Sequence, residues 1–225
     1  MTLKVTEFDT SEALIQAACE LLGEHICSEE DDPRAIILPG GTTPIPVYEK
    51  VSRSGWQAGS DLHIIYSDER VVPVDSPANN YSQTKDMIQA LGIPDEQVIR
   101  VETEYPLAES AKRYDSALAA FLGMGGRIPL GLLGLGSDGH TASLFSEEDI
   151  ERGRNRLIVA VPKKDGPDRV SVTPLLLRRC ERLVFIVFGA DKRSVCDALI
   201  EHPETIPAGM ATHDVENLEL WMACS

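Results

Sequence analysis

LGLLGLGSDGHTASLF, residues 130–145, opens as an apolar run and breaks into a loop with glycines at 134, 136 and 139. A short run of this kind, apolar throughout and closed by glycine, suits a strand buried on both faces. Similar runs flank it on both sides: AIIL (35–38), LHIIY (62–66) and QVIRV (97–101) before it, and LIVAV (157–161), VSVT (170–173), LVFIVF (183–188) and LELWM (218–222) after it. Between them the apolar spacing turns helical. Leu14, Ile15, Ala18, Leu21, Leu22 and Ile26 predict a helix over about 10–28 with Asp9 or Thr10 as N-cap. Further helices are predicted for about ten residues ending near Gly55, for 80–91, for 106–122 and for 191–201. Strands alternating with helices predict an α/β fold, a mainly parallel, Rossmann-like sheet covered by helices on both faces. The whole chain, 1–225, reads as one catalytic domain. In such sheets ligands bind beyond the carboxyl ends of the strands, so the loops that follow the strands should meet at one edge.

Composition narrows the function. Apolar residues make up 43% of the chain and aromatics only 5%, so the core must be mainly Leu, Ile, Val and Ala. A formal charge of −15 argues against nucleic acid, whose binding needs a basic face. An acidic chain that binds an anionic substrate must gather its lysines and arginines locally. No run approaches the roughly 18 apolar residues of a membrane span, and MTLKVTEFDT has no apolar signal core, so the expected location is the cytoplasm, away from membranes. Five scattered cysteines without a CxxC pair fit a reducing compartment rather than a disulfide or zinc framework; Cys19 and Cys180 read as core residues.

Three loops carry the chemistry. PGGTTP (39–44) offers close backbone approach at Gly40 and Gly41, hydroxyls at Thr42 and Thr43, and a helix just behind, the parts of an anion site, although a plain strand-to-helix turn would need the same glycines for its geometry. It lacks the GKS or GKT ending of a nucleotide loop. SDERVVP (67–73) places Asp68, Glu69 and Arg70 at the end of LHIIY, ahead of a long loop to Asn79. GLGSDG (134–139) formally matches a dinucleotide fingerprint, but Asp138 would sit where the pyrophosphate belongs. The acidic ribose ligand expected about 20 residues on is absent, because that region reads Arg156, Leu157, Ile158, Val159. No nicotinamide cofactor is therefore expected, and no ligand spacing for a metal is present. His140 follows that loop, presented at a strand end, and neutral imidazole is a good base near neutral pH. Arg169 borders VSVT, and Lys192 follows LVFIVF where strand passes into helix.

Taken together, these loops resemble the 6-phosphogluconolactonase family, within the group that includes glucosamine-6-phosphate deaminase. PGGTTP resembles the group's S-G-G-S/T-T-P loop, with Pro39 in place of serine. DERVVP followed by Asn79–Asn80 resembles D-E-R-x-V-P…S-N. GLGSDGHTASLF resembles L-G-x-G-x-D-G-H-T-A-S-L-F-P, with Ser146 where proline is usual. VPKKDGPDRVSVT and FGADKRSV resemble the later R-x-T/S-x-T and G-x-x-K segments, so the matches run from Pro39 to Lys192. The resemblance implies hydrolysis of 6-phosphogluconolactone to 6-phosphogluconate in the pentose phosphate pathway, without a cofactor. It implies a phosphate site at Gly40, Gly41, Thr42 and Thr43, Arg70 and His140 at the lactone, and Arg169 and Lys192 towards the phosphate. Either Asp68 or Asp138 is expected to orient the imidazole. Two alternatives are a deaminase, whose pattern has tyrosine in place of Arg70 and an acid in place of Phe145, and a non-catalytic sugar-phosphate-binding protein.

Overall fold

A computed structural model of the chain describes residues 3–224; positions 1, 2 and 225 of the predicted domain lie outside the described residues. The elements run β1 Leu3–Glu7, α1 Ser11–Ile26, β2 Arg34–Leu38, α2 Ile45–Ser52, β3 Leu62–Tyr66, β4 Asp68–Arg70, α3 Asn80–Leu91, β5 Val98–Ile99, α4 Leu107–Gly123, β6 Arg127–Leu133, α5 Glu147–Arg152, β7 Ile158–Val161, β8 Arg169–Val172, α6 Pro174–Leu177, β9 Leu183–Phe188, α7 Arg193–Glu201, α8 Pro207–Thr212 and β10 Leu218–Ala223. Among the described residues seven strands form one sheet in the order β1-β10-β9-β6-β2-β3-β5, with every pairing parallel. Helices cover it on both faces, as the alternating pattern predicts. One core cluster joins α1, α2 and α3 to the sheet through Leu14, Leu22, Val47, Tyr48, Ile88, Ile36 and Ile64. The other joins α4 and α7 to the opposite face through Tyr114, Leu118, Val195, Leu199, Ile37 and Phe185. Cys19 and Cys180 are buried within these clusters. No helix among the described residues is long and apolar enough to cross a membrane.

The helix starts follow local chemistry. Thr10 is the N-cap of α1, its hydroxyl accepting from the Ala13 amide at 3.1 Å. Asn79 caps α3 in the same way, and Gly92, left-handed at φ 72°, ends it.

Four features depart from the predicted pattern. VSVT and LIVAV do not enter the parallel sheet. The connection between them, 162–168, is far shorter than the dozen or so residues of a parallel crossover, so β7 and β8 pair antiparallel. SDER is not wholly a loop, because Asp68–Arg70 form β4 and pair with β8 in a second, three-stranded sheet. QVIRV pairs only at Val98 and Ile99, opposite Ile64 and Ile65 on the sheet edge. The opposite edge strand, β1, is mostly exposed and polar, which left no buried-strand pattern to read.

The sheet order sets the location of the site. From β2 the chain moves outward to β3 and β5, then returns to the other side of β2 as β6. The loop after β2 leads to α2 on one face, whereas the loop after β6 leads to Leu144 and β7 on the other. Loops that diverge in this way open a crevice between the two strand ends.

Candidate active site

At that crevice lies a cavity of about 280 Å³, lined by Pro39–Thr43, Ser67, Asp68, Arg70, Gly134–Gly136, His140, Ala142, Ser143, Phe145 and Arg169. All three predicted loops therefore meet at one place. Arg169 arrives by a different route. It starts β8 rather than following a parallel strand, and the antiparallel register sets it opposite Arg70.

The loop after β2 owes both glycines to its surroundings. A Cβ on Gly40 would stand 1.8 Å from Asn80 Oδ1, and Gly41 holds φ at 98°, which strains any side chain. The Gly41 amide already donates to Gln83 Oε1 at 3.1 Å, so it is not a free anion donor. Among the described residues the hydroxyls of Thr42 and Thr43, which border the cavity, have no hydrogen-bond partner. Tyr48 Oη donates to Pro39 O at 2.6 Å and ties this loop to α2.

The second loop turns its carboxylates inward. Tyr114 Oη grips the end of β3, donating to Tyr66 O and accepting from its amide, both at 2.8 Å. Beyond it, Glu69 is 0% exposed and accepts from the amides of Arg70 (2.8 Å), Asn80 (2.7 Å) and Tyr81 (2.9 Å). Burial outweighs those bonds and lifts its carboxyl to about 7. Asp68 accepts from Ser143 Oγ at 2.6 Å and Ser67 Oγ at 2.9 Å, and its carbonyl accepts from Asn80 Nδ2 at 2.8 Å. Arg70 donates through Nη1 to Ala78 O at 2.9 Å and otherwise faces the cavity.

The third loop holds the imidazole. His140 Nδ1 lies 2.5 Å from Asp138 Oδ1, so Asp138 is the carboxylate that meets the ring and Asp68 is not. Gly136 makes room for the pair, because a Cβ there would fall 2.1 Å from Nδ1 and 2.5 Å from Asp138 Oδ1. Burial pushes the Asp138 carboxyl up, and the hydrogen bond and charge of His140 outweigh it, so it stays below the usual aspartate range. Two residues on, Ala142 takes a left-handed φ of 49°, where non-glycine residues are uncommon. The turn carries Ser143 back to Asp68 and presents Phe145 to the imidazole, with ring centroids 4.5 Å apart.

Charge is sorted around this cavity. Arginines elsewhere mostly pair with carboxylates, among them Arg34, Arg100, Arg113, Arg127, Arg182 and Arg193. Among the described residues Arg70, Arg169 and Lys192 form no ion pair. Arg169 Nε and Nη1 are buried without a partner, and burial, followed by the nearby charge of Arg70, pushes its guanidinium down. Two adjacent guanidiniums with unmet donors suit an anion. Lys192 is not among the lining residues. Its ammonium donates to Leu135 O at 3.1 Å and Ser137 Oγ at 2.8 Å, bracing the loop beneath His140. Two of its three donors are thus occupied. Asn80, Ser143 and Ser171, whose Oγ accepts from the Ser143 amide at 3.1 Å, are the supporting residues that sequence reasoning did not single out. Asn80 stands in the Asn79–Asn80 motif, Ser143 in HTASLF and Ser171 in VSVT, and none of them carries an assigned role there. Among the described residues no three His, Cys, Asp or Glu side chains stand close enough to share a metal ion.

The family model described as glucosamine-6-phosphate isomerases/6-phosphogluconolactonase matches residues 9–221. A 6-phosphogluconolactonase of Synechocystis sp. is 36% identical over 180 residues, which span 76% of this chain and 73% of that protein. The structure of 6-phosphogluconolactonase from Trypanosoma brucei superposes with a TM-score of 0.81 at 24% identity, covering 99% of this chain and 96% of that one. A monomeric glucosamine-6-phosphate deaminase superposes almost as well, with a TM-score of 0.80 at 18% identity over 98% and 97% of the two chains. The backbone is thus shared by both activities, and sequence likeness has to separate them. On the matched model and the Synechocystis relative, the chain belongs to the glucosamine-6-phosphate isomerase/6-phosphogluconolactonase family, beside its 6-phosphogluconolactonases.

Proposed function

We propose that this chain hydrolyses 6-phospho-D-glucono-1,5-lactone to 6-phosphogluconate, the lactone step of the pentose phosphate pathway, with His140 as general base. The observation that carries the reading is an imidazole, backed by a carboxylate at Nδ1, in one cavity with two guanidiniums that have no anionic partner.

An ionised Asp138 can only accept, so it stabilises the tautomer with hydrogen on Nδ1 and leaves the Nε2 lone pair for chemistry. That nitrogen takes a proton from water as the water oxygen bonds to the lactone carbonyl carbon. The carbonyl oxygen becomes an oxyanion, for which Arg70 is the nearby cation. Collapse of the tetrahedral intermediate breaks the bond to the ring oxygen, which receives the proton from His140 and leaves as the 5-hydroxyl. Arg169 and the hydroxyls of Thr42 and Thr43 bind the phosphate, Lys192 holds the loop that leads to His140, and the remote binding of the phosphate holds the carbonyl in place. Phe145, in contact with the imidazole, offers no carboxyl for the proton shuttling of a deaminase.

The test is a lactonase assay on freshly generated 6-phosphogluconolactone with spontaneous hydrolysis subtracted, run beside ammonia release from glucosamine 6-phosphate. We expect saturable lactone hydrolysis and no ammonia above background. Ammonia release that depends on His140, without lactone hydrolysis, would reverse the assignment.

A further inference from the structure

One hydrogen bond is a weak anchor for a catalytic imidazole. The Asp138 side chain is 63% exposed, and water competes for its oxygens. A second contact holds the ring. The His140 and Phe145 rings lie 4.5 Å apart between centroids, tilted by 41°, and Lys163 Nζ stands 3.6 Å from the centroid of the same Phe145 ring. A cation over an aromatic face is attracted by its quadrupole, so the ammonium fixes the phenyl ring as the ring fixes the imidazole.

The stack is built into the backbone at both ends. The Phe145 amide donates to Asp149 Oδ2 at 3.1 Å, and Asp149 lies in the first turn of α5. The Lys163 amide donates to Asp168 Oδ1 at 2.9 Å and closes loop 162–168. Asp168 O accepts from the Val71 amide at 2.9 Å, immediately after Arg70. Lys163 therefore moves with the strand pair that carries Arg70 and Arg169. Among the described residues its ammonium forms no ion pair, and it rests on the phenyl face.

We propose that Phe145 and Lys163 are positioning residues for His140: the ammonium clamps the phenyl ring, and the ring holds the imidazole in register with the arginines of β4 and β8. The inference rests on His140 being the general base. It predicts a defect in turnover rather than in substrate affinity, because the stack orders the base and does not touch the phosphate.

The experiment measures kcat and KM for lactone hydrolysis in Lys163→Met, Lys163→Arg, Phe145→Leu and Lys164→Met, with melting temperatures for each. Lys163→Met keeps the apolar stem and loses the charge, and kcat should fall roughly three- to thirtyfold with KM changed less than about twofold. Lys163→Arg, whose guanidinium also stacks on phenyl faces, should restore most of the rate. Phe145→Leu should lower kcat by about tenfold or more. Lys164→Met, the same charge change on an exposed neighbour, should match the parent. An unchanged kcat in Lys163→Met overturns the proposal. So does a rise in KM confined to the phosphorylated lactone, which would make Lys163 a phosphate ligand. Were His140→Asn to retain full activity, the base assignment itself would fall, whatever the lysine variants do. Should Phe145→Leu fail to fold, the lysine pair alone decides.

Discussion

Residues 67–70 and 134–140 both lie beyond the end of a parallel strand and both carry carboxylates beside one cavity, yet they use them in opposite ways. In the first, Glu69 gives its oxygens to three backbone amides and Asp68 gives its own to Ser67 and Ser143. In the second, Asp138 is largely exposed and meets one imidazole nitrogen. The buried carboxylates hold the strand end, α3 and the HTAS turn together. The exposed one is left to act on a group that faces substrate. A carboxylate's task therefore follows from where its lone pairs are spent rather than from its distance to the cavity.

Removing the base should have the largest effect. His140→Asn should lower kcat by roughly 10² or more, the usual scale for loss of general-base catalysis, with the melting temperature nearly unchanged. Near-normal turnover in that variant would leave the second loop with no role that differs from the first.

Asp138→Asn comes next. An amide cannot serve the imidazole as an ionised acceptor does, so kcat should fall about ten- to a hundredfold, while the exposed position keeps any stability loss under about 1 kcal/mol. If stability falls instead and turnover holds, Asp138 is a structural carboxylate after all.

Glu69→Gln should give the reverse pattern and the smallest effect on turnover. One of its three amide partners loses its acceptor, at a cost of about 1–3 kcal/mol. Its pH dependence carries a definite sign. Burial raises the folded carboxyl from the ordinary 4.5 to about 7, so the folded chain binds that proton more tightly than the unfolded chain does. The stabilisation is fully present below about pH 4.5 and is lost as pH rises through 7. Urea unfolding at pH 5 and pH 8 should show the difference between parent and variant shrinking by about 1 kcal/mol or more at the higher pH. An equal difference at both values would mean that the three amides keep Glu69 ionised throughout.

Much of this architecture was legible in residue order. AIIL, LGLLG and LVFIVF are apolar throughout, and LHIIY is apolar but for His63, because they are buried on both faces of a sheet, and that burial is visible without coordinates. LIVAV looks the same in sequence yet pairs with VSVT in the antiparallel second sheet, since apolarity records burial and carries no strand direction. Asp68–Arg70 read as a loop because three charged residues show no period, and only pairing with β8 makes them a strand.

The site divides along the same line. Residue type and spacing carry the α/β class, the three loops and the placing of His140 at a strand end, because those are local properties. The role expected of Arg70 came with the family resemblance. Tertiary structure alone decided which carboxylate meets the imidazole, because Asp68 and Asp138 are separated by register and turn geometry that no local pattern encodes. It also brought Arg169 opposite Arg70 through an antiparallel ladder, and set Lys192 to brace the loop beneath His140 instead of lining the cavity. Gly136 shows the limit of local reading: its reason is the imidazole and carboxylate packed against it, and that contact exists only once the loop has closed.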